Sequence, residues 1–370
     1  MPGIPGHRRR RVRGPALIPG RVAGPRNTDG AAAVAHRVKA YILSKYGADP
    51  VLTDVPDPHA GPGEVVIDVA AVSVNPVDEV LAKGTARLVV PLNLPSRLGF
   101  DAAGTVLEVG DGVTHLAVGQ RVMVRADQAH MGSFAERLLV DASVVAPAPA
   151  GLTDGEAASI PLAGTTAWQA LVDRGHVAAG QRVLIHAGAG GVGSLAIQIA
   201  KHLGAEVATT ASPRNAELVR SLGADHVIDY HSQDFAEVLS DYDLVLDGVG
   251  EGNVLRSLTV LRPGGLVIGL NTPPDARLAR TLGASGLKGV LVRALGLRVQ
   301  RRAKKLGVRY EYLLMHPDGE DLGALGALVD AGELRPVVGR EMPFEKLPEA
   351  LSFAHNGGGH GKTVLTLDRR

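Results

Sequence analysis

Residues 182–193, Arg182-Val-Leu-Ile-His-Ala-Gly-Ala-Gly-Gly-Val-Gly193, decide the fold of this chain. The first six residues are mostly apolar, which is typical of a short buried strand, and they run into a glycine-rich turn. A helical pattern follows and stops at Gly204. In such a unit one glycine permits the tight turn, a second lets the backbone approach a pyrophosphate, and a third lets helix and strand pack closely. The helix N-terminus then offers N–H groups to the anion.

The glycine turn alone is weak evidence, because the chain contains 47 glycines. The segments after it decide the matter. Strand and helix patterns alternate, with strands at 205–210, 225–230, 243–247 and 265–270 and helices at 215–222, 235–240 and 254–261. This alternation predicts a doubly wound parallel sheet of the α/β class that binds a dinucleotide. The predicted cofactor-binding residues of the turn are Gly188, Gly190, Gly191, Val192 and Gly193.

The composition limits the remaining possibilities. A chain of 370 residues with 45% hydrophobic residues is typical of a packed protein with two domains. No run of 18 uncharged apolar residues suggests a membrane span. The absence of cysteine excludes disulfides, cysteine-ligated zinc, iron–sulfur clusters and thiol catalysis.

Residues 1–36 form a strongly basic tail with seven arginines and one acidic residue, Asp29. Its glycine and proline content predicts disorder. Its apolar piece is too short for a signal peptide, and a transit peptide would be serine-rich and amphipathic. We therefore favour a dispensable extension and a cytoplasmic location, with nucleic-acid binding by the tail as the alternative.

Two further regions have a recognisable character. Strand patterns separated by turn residues recur between residues 37 and 150 and predict an all-β module of barrel type. Residues 277–309 hold ten basic residues and no acidic one. A helix that binds a membrane or nucleic acid is one interpretation of this basic stretch. A solvated helical face, or one bordering a phosphate-binding cleft, is the favoured one.

Several motifs add up to a family resemblance. They are Val74-Asn-Pro-Val-Asp78, Gly99-Phe-Asp-Ala-Ala-Gly104, Val118-Gly-Gln-Arg-Val122, Ala163-Gly-Thr-Thr-Ala167 and His360-Gly-Lys362. Together with the glycine turn they resemble the zinc-independent branch of the medium-chain dehydrogenase/reductase superfamily, the quinone oxidoreductase-like enzymes, over residues 38–367. The resemblance implies a GroES-like β-barrel domain of residues 37–161 and 304–370 and a Rossmann domain of residues 162–303. Substrate would bind in the cleft between them.

The resemblance also bears on metal binding. In the zinc-dependent branch a cysteine stands about where Asn75 stands, and a histidine stands at Phe100. None of the thirteen histidines has ligand spacing such as H-x-x-x-H. We therefore predict no metal, so carbonyl activation by a Lewis acid is not expected.

The end of the second strand of the parallel sheet indicates which nicotinamide cofactor binds. An NAD enzyme places an acidic residue there to bind the ribose 2′-OH. No acidic residue occurs between Glu206 and Glu217. Ser212, Arg214 and Asn215 stand there instead, and an arginine can pair with a 2′-phosphate. The prediction is NADPH, although Arg214 also fits a solvated first-turn position.

The resemblance implies the rest of the site. Tyr230 would contact the adenosine phosphate, and Lys362 either reaches a cofactor phosphate or is a plain turn lysine. Of the polar cleft residues, Asn75 would donate to the substrate oxygen and Asp78 would orient its neighbours. Water is the expected proton source, with Tyr310 or Tyr312 as weak candidates. The nicotinamide would lie over Thr166, near Gly248, Val249, Gly269, Leu270 and Asn271.

The expected function is NADPH-dependent hydride transfer to a quinone or an α,β-unsaturated carbonyl, a small-molecule substrate. One alternative is an enoyl-thioester (enoyl-CoA or ACP) reductase, whose basic stretch would receive an acidic carrier or CoA phosphates. Another is an NADPH-binding regulatory protein with little turnover. A homodimer is possible by analogy, with the strand at 265–270 extending the sheet across a two-fold axis.

Overall fold

The structure is a computed structural model that describes residues 36–87, 90–275, 277–278, 294–356 and 359–368. The basic tail up to residue 35 and residues 279–293 of the basic stretch lie outside the described residues. The described residues form three sheets, of three, six and seven strands. No helix within these ranges is long and apolar enough to cross a membrane.

Most strands before residue 150 are antiparallel, as their alternating patterns predict. They form the three-stranded sheet and most of the seven-stranded sheet. These strands are β1 (Arg37–Leu43), β2 (Val51–Pro56), β3 (Glu64–Val74), β4 (Ser96–Arg97), β5 (Asp101–Val109), β6 (Arg121–Arg125), β7 (Arg137–Asp141) and β8 (Val145–Pro147). The long, mostly buried β3 pairs with both β5 and β7. Its register places Ser73 opposite Asp101, and Asp101 in turn lies opposite Arg125. Three polar side chains therefore share one row of the sheet.

Helix α1 (Pro76–Lys83) begins directly after β3. Proline at the first helical position fixes the turn of the chain, and Asn75 is the residue before it. The backbone N–H of Asn75 donates to Oδ2 of Asp78 over 2.7 Å. The turn that carries Asn75 is thus fixed by the helix it precedes.

The six-stranded sheet is parallel and has the order β11-β10-β9-β12-β13-β14. Its strands are β9 (Arg182–Ile185), β10 (Glu206–Ala211), β11 (His226–Asp229), β12 (Tyr242–Asp247), β13 (Leu261–Gly269) and β14 (Arg309–Tyr312). The chain order reverses between β9 and β12, and in such sheets ligands bind at the carboxyl ends of the strands beside the reversal. The predicted class of a GroES-like domain plus a Rossmann sheet is confirmed.

Helices pack on the sheets of both domains. They are α2 (Asp154–Ala158), α3 (Pro161–Trp168) with a π-helical turn (Gln169–Arg174), α4 (Gly191–His202), α5 (Ala216–Ser221), α6 (Phe235–Val238), α7 (Glu251–Ser257), α8 (Leu297–Leu306), α9 (Gly319–Asp330) and α10 (Leu347–Asn356). Helix α7 begins at Glu251, three residues before the predicted start, because Gly250 has a φ of 144° and ends the preceding loop.

The C-terminal segment returns to the first domain. Strands β15 (Val338–Pro343) and β16 (Lys362–Thr366) pair with each other, and β16 runs antiparallel to β3. The register sets Thr363 opposite Val74. Lys362 therefore begins its strand beside the turn that carries Asn75.

The structure differs from the predicted domain boundary at residue 304. That position falls within α8, and β14 is the sixth strand of the parallel sheet, with Val267 opposite Tyr310. The edge predicted for the fifth strand is therefore occupied, and β14 ends the sheet instead. The four residues of β14 alternate in polarity, so the sequence has no apolar run there that would predict a buried strand.

One apolar core joins the two domains. Met123 and Ala146 from strands of the first domain belong to the same buried cluster as Ile160, Leu195 and Leu325. Each fully buried leucine or isoleucine stabilises the fold by about 1.5–3 kcal/mol. This shared core fixes the position of the parallel sheet against the β-barrel module.

The loop between β6 and β7 carries an ion-pair cluster with a testable pH dependence. Nδ1 of His130 lies 3.0 Å from Asp127 Oδ1, and Nε2 lies 3.2 Å from Glu64 Oε1. The hydrogen bond to Asp127 is the main cause that raises the pKa of His130 to about 9. The folded chain therefore keeps a proton on His130 that the unfolded chain loses near pH 6.5.

We expect the stabilisation from His130 to be present below pH 6.5 and to be lost as the pH rises through 9. The check is the unfolding temperature of the wild type and His130→Gln between pH 6 and 10. Their difference should shrink steadily over that range. His59→Gln, at an exposed ion pair with Glu108, is the control. A difference that does not change with pH would contradict the account.

Candidate active site at the junction of the two sheets

The glycine-rich turn is closed by contacts that leave no room for side chains. A Cβ on Gly188 would lie 2.0 Å from Thr209 Oγ1, and one on Gly193 would lie 2.4 Å from the carbonyl oxygen of Ala187. On Gly190 the nearest atom would be 3.3 Å away. Ala187 itself has a φ of 54°, which is unusual for a residue other than glycine. The turn is packed against β10 and α4 and is open at Gly190.

A second segment lies across this turn. Gly361 pairs with Gly190 in an isolated parallel bridge, and its N–H donates to Ala189 over 2.7 Å. A Cβ on Gly191 would lie 2.6 Å from Cδ of Lys362. Gly191 and Val192 form the first turn of α4, where N–H groups have no intrahelical acceptor. The lysine side chain therefore runs directly past the predicted phosphate-binding backbone.

The ammonium of Lys362 ends within a buried polar cluster of the first domain. It donates to the carbonyl of Val74 over 3.1 Å and to Oδ1 of Asn75, and it lies 3.6 Å from Asp101 Oδ2. Burial lowers the pKa of Lys362, while Asp101 and Asp78 oppose that shift. Lys362 thus connects the glycine turn to the predicted cleft residues of the other sheet.

The side-chain amide of Asn75 is engaged at both ends. Its Oδ1 accepts from Lys362, and its Nδ2 donates to Asp101 Oδ2 over 2.9 Å. Only 2% of the residue is exposed. The amide N–H of Asn75 that was predicted to reach the substrate oxygen therefore donates to the carboxylate of Asp101 instead. Asn75 holds Lys362 and Asp101 in place.

Two buried carboxylates complete this cluster. Asp101 accepts from Ser73 Oγ and, through Oδ1, from the backbone N–H of Leu162 over 2.9 Å. It thereby ties the first domain to the start of α3. Asp78 is fully buried, and this burial raises its pKa to about 7. Oδ1 of Asp78 has no hydrogen-bond partner among the described residues.

Helix α3 carries Thr166 into the same junction. The residue is buried, and its hydroxyl donates to the carbonyl of Leu162 over 2.7 Å. This bond leaves the Oγ1 lone pairs available as acceptors. Helix α3 packs against α4, so Thr166 is fixed relative to the glycine turn.

The adenosine end of the predicted cofactor site follows β10. Ser212 is 6% exposed, and its Oγ has no hydrogen-bond partner among the described residues. Arg214 is exposed on the next turn, and Asn215 is buried at the start of α5. Tyr230 is exposed after β11, with its ring against His231. The first three of these residues come together at one strand end.

The predicted nicotinamide end of the site lies at the loops after β12 and β13. The N–H of Val249 donates to Asp247 Oδ1 over 2.9 Å, and the N–H of Leu270 donates to the carbonyl of Asp247. A Cβ on Gly250 would lie 3.9 Å from the carbonyl oxygen of Asn271. The predicted contacts Gly248–Gly250 and Gly269–Asn271 therefore lie side by side.

The tyrosines suggested as proton donors have other roles. The hydroxyl of Tyr310 lies 2.7 Å from Thr272 Oγ1 and also donates to the carbonyl of Pro273. Its ring packs in the apolar cluster between the sheet and α8, and burial raises its pKa. Burial also raises the pKa of Tyr312. A phenol that holds its proton this firmly is a poor acid at neutral pH.

Sequence reasoning missed two residues near the site. Arg125 stacks its guanidinium 4.6 Å from the ring centroid of Phe100, and burial lowers its pKa. Its Nε has no hydrogen-bond partner in the described part of the chain. His186 is buried beneath the glycine turn. The sequence feature that could have identified them is a charged or titratable residue at the end of a mostly apolar strand, as Arg125 is in β6 and His186 is after β9.

No group of three or more histidine and carboxylate side chains within the described ranges is arranged to hold a metal ion. The junction instead contains buried charges of both signs. Lys362 and Arg125 supply positive charge, and Asp101 supplies negative charge. This arrangement can bind a cofactor phosphate and stabilise a negative charge that develops on a substrate.

Comparisons with known proteins agree with this geometry. Residues 61–150 match the family model described as alcohol dehydrogenase GroES-like domain, and residues 222–365 match the one described as zinc-binding dehydrogenase. The chain is similar to NAD(P)H oxidoreductase RTN4IP1, mitochondrial, of Danio rerio, with 35% identity over 354 residues, 89% of this chain and 91% of the relative.

The names of another relative and of one solved structure describe the expected chemistry. NADPH-dependent alkenal/one oxidoreductase, chloroplastic, of Arabidopsis thaliana is 31% identical over 92% of this chain and 82% of its own length. The solved quinone oxidoreductase of Coxiella burnetii has 32% identity and a TM-score of 0.78 over 90% of this chain and 100% of its own.

The prediction of a cytoplasmic location was wrong by this comparison. The similar oxidoreductases of Danio rerio, Mus musculus, Homo sapiens and Bos taurus are all named mitochondrial, which contradicts that prediction. The 35% identity to the Danio rerio protein, over 89% of this chain and 91% of the relative, shows the family to which this chain belongs. The chain belongs to the zinc-independent, quinone oxidoreductase-like branch of the medium-chain dehydrogenase/reductase superfamily and is an NAD(P)H-dependent oxidoreductase.

Proposed function

We propose that the protein uses NADPH to reduce a quinone or the carbon–carbon double bond of an α,β-unsaturated carbonyl. The observation that carries the proposal is the course of Lys362. Its stem packs against Gly191 of the cofactor turn, and its ammonium lies among the polar residues of the cleft. A substrate held at this junction would lie beside the nicotinamide.

The residues present fit a dinucleotide. The turn is open at Gly190 and closed elsewhere, which suits a pyrophosphate that approaches the backbone. The buried hydroxyl of Ser212, which has no hydrogen-bond partner among the described residues, suits a ribose phosphate. When bound, the nicotinamide supplies the hydride. The proposed cofactor-binding residues are Thr166, Gly188, Gly190, Gly191, Val192, Gly193, Ser212, Arg214, Asn215, Tyr230, Gly248, Val249, Gly269, Leu270, Asn271 and Lys362.

The side chains of the cleft orient the reactants and stabilise charge. Asn75 and Asp78 act as positioning residues, because their polar atoms hold Lys362, Asp101 and the start of α1. The cation of Arg125 stabilises the oxyanion that forms as the β-carbon of an enone, or a quinone ring, accepts the hydride, while Lys362 holds the cleft residues beside the glycine turn. Water then supplies the proton, to the α-carbon when the substrate is an enone and to the oxyanion when it is a quinone.

The choice of NADPH rests on the strand end after β10. It offers a hydroxyl, an arginine and an amide, and the nearest acid in that strand, Glu206, lies at the opposite end and pairs with His226. We expect Arg214→Ala to lower kcat/KM for NADPH relative to NADH roughly 10- to 100-fold, which is the worth of a hydrogen-bonded charge pair.

Steady-state kinetics with both nucleotides measures this ratio. Arg220→Ala is the matched control, because it removes an exposed arginine from α5, whereas Arg214 lies in the short 3₁₀ turn Pro213–Asn215 that precedes that helix. Its ratio should equal that of the wild type. An unchanged ratio in Arg214→Ala would remove Arg214 from the specificity site.

Enoyl-thioester reduction is the second candidate function, and one feature of the surface favours it. Helix α8 exposes Arg298, Arg301, Arg302, Lys304 and Lys305, which suits an acidic carrier or CoA phosphates. The chain is also 38% identical over 310 residues to polyketide synthase GfsB of Streptomyces halstedii, where it matches 5% of the synthase's length.

The two functions separate in one NADPH oxidation assay against 1,4-benzoquinone, 9,10-phenanthrenequinone, an alkenal, an enone and crotonyl-CoA. Turnover of a quinone or an enone supports the proposal. Turnover of crotonyl-CoA alone moves the function to acyl thioesters. Tight NADPH binding without turnover would favour a regulatory role.

We also propose a homodimer. Strand β14 ends the parallel sheet with one unpaired edge among the described residues, and such an edge readily pairs with a second strand. Two copies joined there would continue the sheet across a two-fold axis. Sedimentation of a single monomeric species at micromolar concentration would contradict this assembly.

A further inference from the structure

His186 occupies a position that the proposed chemistry does not use. It follows β9 directly, it is 5% exposed, and its ring is held edge-on to Phe235 at 4.6 Å between centroids. Both ring nitrogens have partners. They link residues that border opposite halves of the proposed dinucleotide site.

One nitrogen faces the adenosine side. Nδ1 lies 3.2 Å from Thr210 Oγ1, near the end of β10 and two residues before Ser212. The same Oγ1 accepts the N–H of Ala187 over 3.0 Å. The hydroxyl proton of Thr210 is therefore available for Nδ1 of His186.

The other nitrogen faces the nicotinamide side. Nε2 lies 3.0 Å from Ser257 Oγ on α7, which lies 3.0 Å from Asp247 Oδ2. Ser257 also lies 3.0 Å from the carbonyl of Asn253, but a carboxylate is the stronger acceptor. Oδ1 of Asp247 then accepts the N–H of Val249 in the nicotinamide loop.

The donors and acceptors of this chain fit one direction. The N–H of Ala187 donates to Thr210, Thr210 donates to Nδ1, Nε2–H donates to Ser257, and Ser257 donates to Asp247. This order gives the buried carboxylate its hydroxyl donor. The opposite tautomer would turn the Ser257 proton toward the ring and leave Asp247 with fewer donors, which is costly in a buried site.

We propose that His186 is a positioning residue that couples the two halves of the dinucleotide site. As a neutral ring it holds the glycine turn and the end of β10 in fixed relation to the loop after β12. The inference rests on the proposed NADPH site. It adds that the nicotinamide loop is set through the histidine, whereas the adenosine end keeps its own contact between Thr210 and Ala187.

The coupling predicts different losses for a whole and a half cofactor. We expect Ser257→Ala and His186→Asn to weaken NADPH about five- to tenfold, the worth of one net hydrogen bond. Binding of adenosine 2′,5′-bisphosphate, which fills only the adenosine end, should change less than about twofold. His186→Gln, whose amide reaches toward Ser257, should recover most of the NADPH affinity.

Calorimetry with NADPH and with adenosine 2′,5′-bisphosphate measures both sets of affinities. Ser159→Ala is the control, since it removes a buried hydroxyl that donates to a backbone carbonyl in the other part of the molecule. Equal losses for both ligands, or unchanged NADPH affinity in the folded variants, would overturn the coupling. A wild type that binds neither ligand would contradict the proposed function instead.

Nitrogen NMR of the wild type tests the same inference without any variant that has to fold. With ¹⁵N-labelled histidine, His186 should give the signals of a neutral ring protonated at Nε2. These signals should not titrate between pH 5 and 8, because burial lowers the pKa of His186 to about 4. A ring protonated at Nδ1, or at both nitrogens near neutral pH, would overturn the proposed direction.

Discussion

Replacing Lys362 by methionine is expected to lower the free energy of unfolding by about 3–5 kcal/mol, the cost of breaking a buried charge pair. Methionine fills similar space but carries no charge. Asp101, which is fully buried, would lose the cation 3.6 Å away, and the carbonyl of Val74 and Oδ1 of Asn75 would lose a donor. NADPH turnover should fall at least roughly 10²-fold, because the cleft residues lose their alignment with the cofactor turn.

Urea unfolding and steady-state kinetics of Lys362→Met measure these two losses. The double variant Lys362→Met/Asp101→Asn is the informative comparison, since it removes both charges of the pair. The double variant should be more stable than Lys362→Met. In a double-mutant cycle, its loss of unfolding free energy should be smaller than the sum of the losses in the two single variants. A single variant as stable and as active as the wild type would show that Lys362 is the plain turn lysine.

The second large effect concerns the third glycine of the turn. Gly193→Ala places a Cβ 2.4 Å from the Ala187 carbonyl oxygen and 2.7 Å from Gly188 Cα, all backbone atoms. Such contacts cannot be relieved by a rotamer change, so α4 must move away from β9. We expect a loss of about 1–3 kcal/mol in stability from overpacking. Displacement of the turn should cost roughly 10²-fold in NADPH affinity.

Gly190→Ala separates these two effects. There the added Cβ would meet only the Ala187 carbonyl oxygen, at 3.3 Å, so the fold should tolerate it. Its methyl group would instead stand where the proposed site receives the pyrophosphate. Thermal unfolding with NADPH titration should show near-normal stability and weakened binding. Equal stability losses in the two alanine variants would contradict the different roles of these glycines.

The parts of the fold that repeat locally could be predicted from the sequence. Each of these patterns is complete within about ten contiguous residues. They are the glycine turn, the strands and helices of the parallel sheet, and the strands of the barrel. Strand β14 could not be predicted, because only Tyr310 of its four residues is buried and the strand is defined by its pairing with β13. The domain boundary at residue 304 failed for that reason.

The candidate site follows the same rule. The glycines and Thr166 lie in motifs that are contiguous in the sequence. His186 looked like one more residue of a buried strand, since its partners Thr210 and Ser257 lie 24 and 71 residues further on. The amide of Asn75 is committed by Lys362, 287 residues away. Polar side chains acquire such roles only when segments that are distant in the sequence come together in the fold.

The most direct test of the account is the fate of deuterium carried at both C4 positions of NADPH during reduction of an enone. The account predicts deuterium at the β-carbon of the saturated product, with the α-hydrogen drawn from solvent. The mass spectrum and proton NMR of the product locate both atoms. Deuterium at the carbinol carbon, or none in the product, would contradict the proposed hydride transfer.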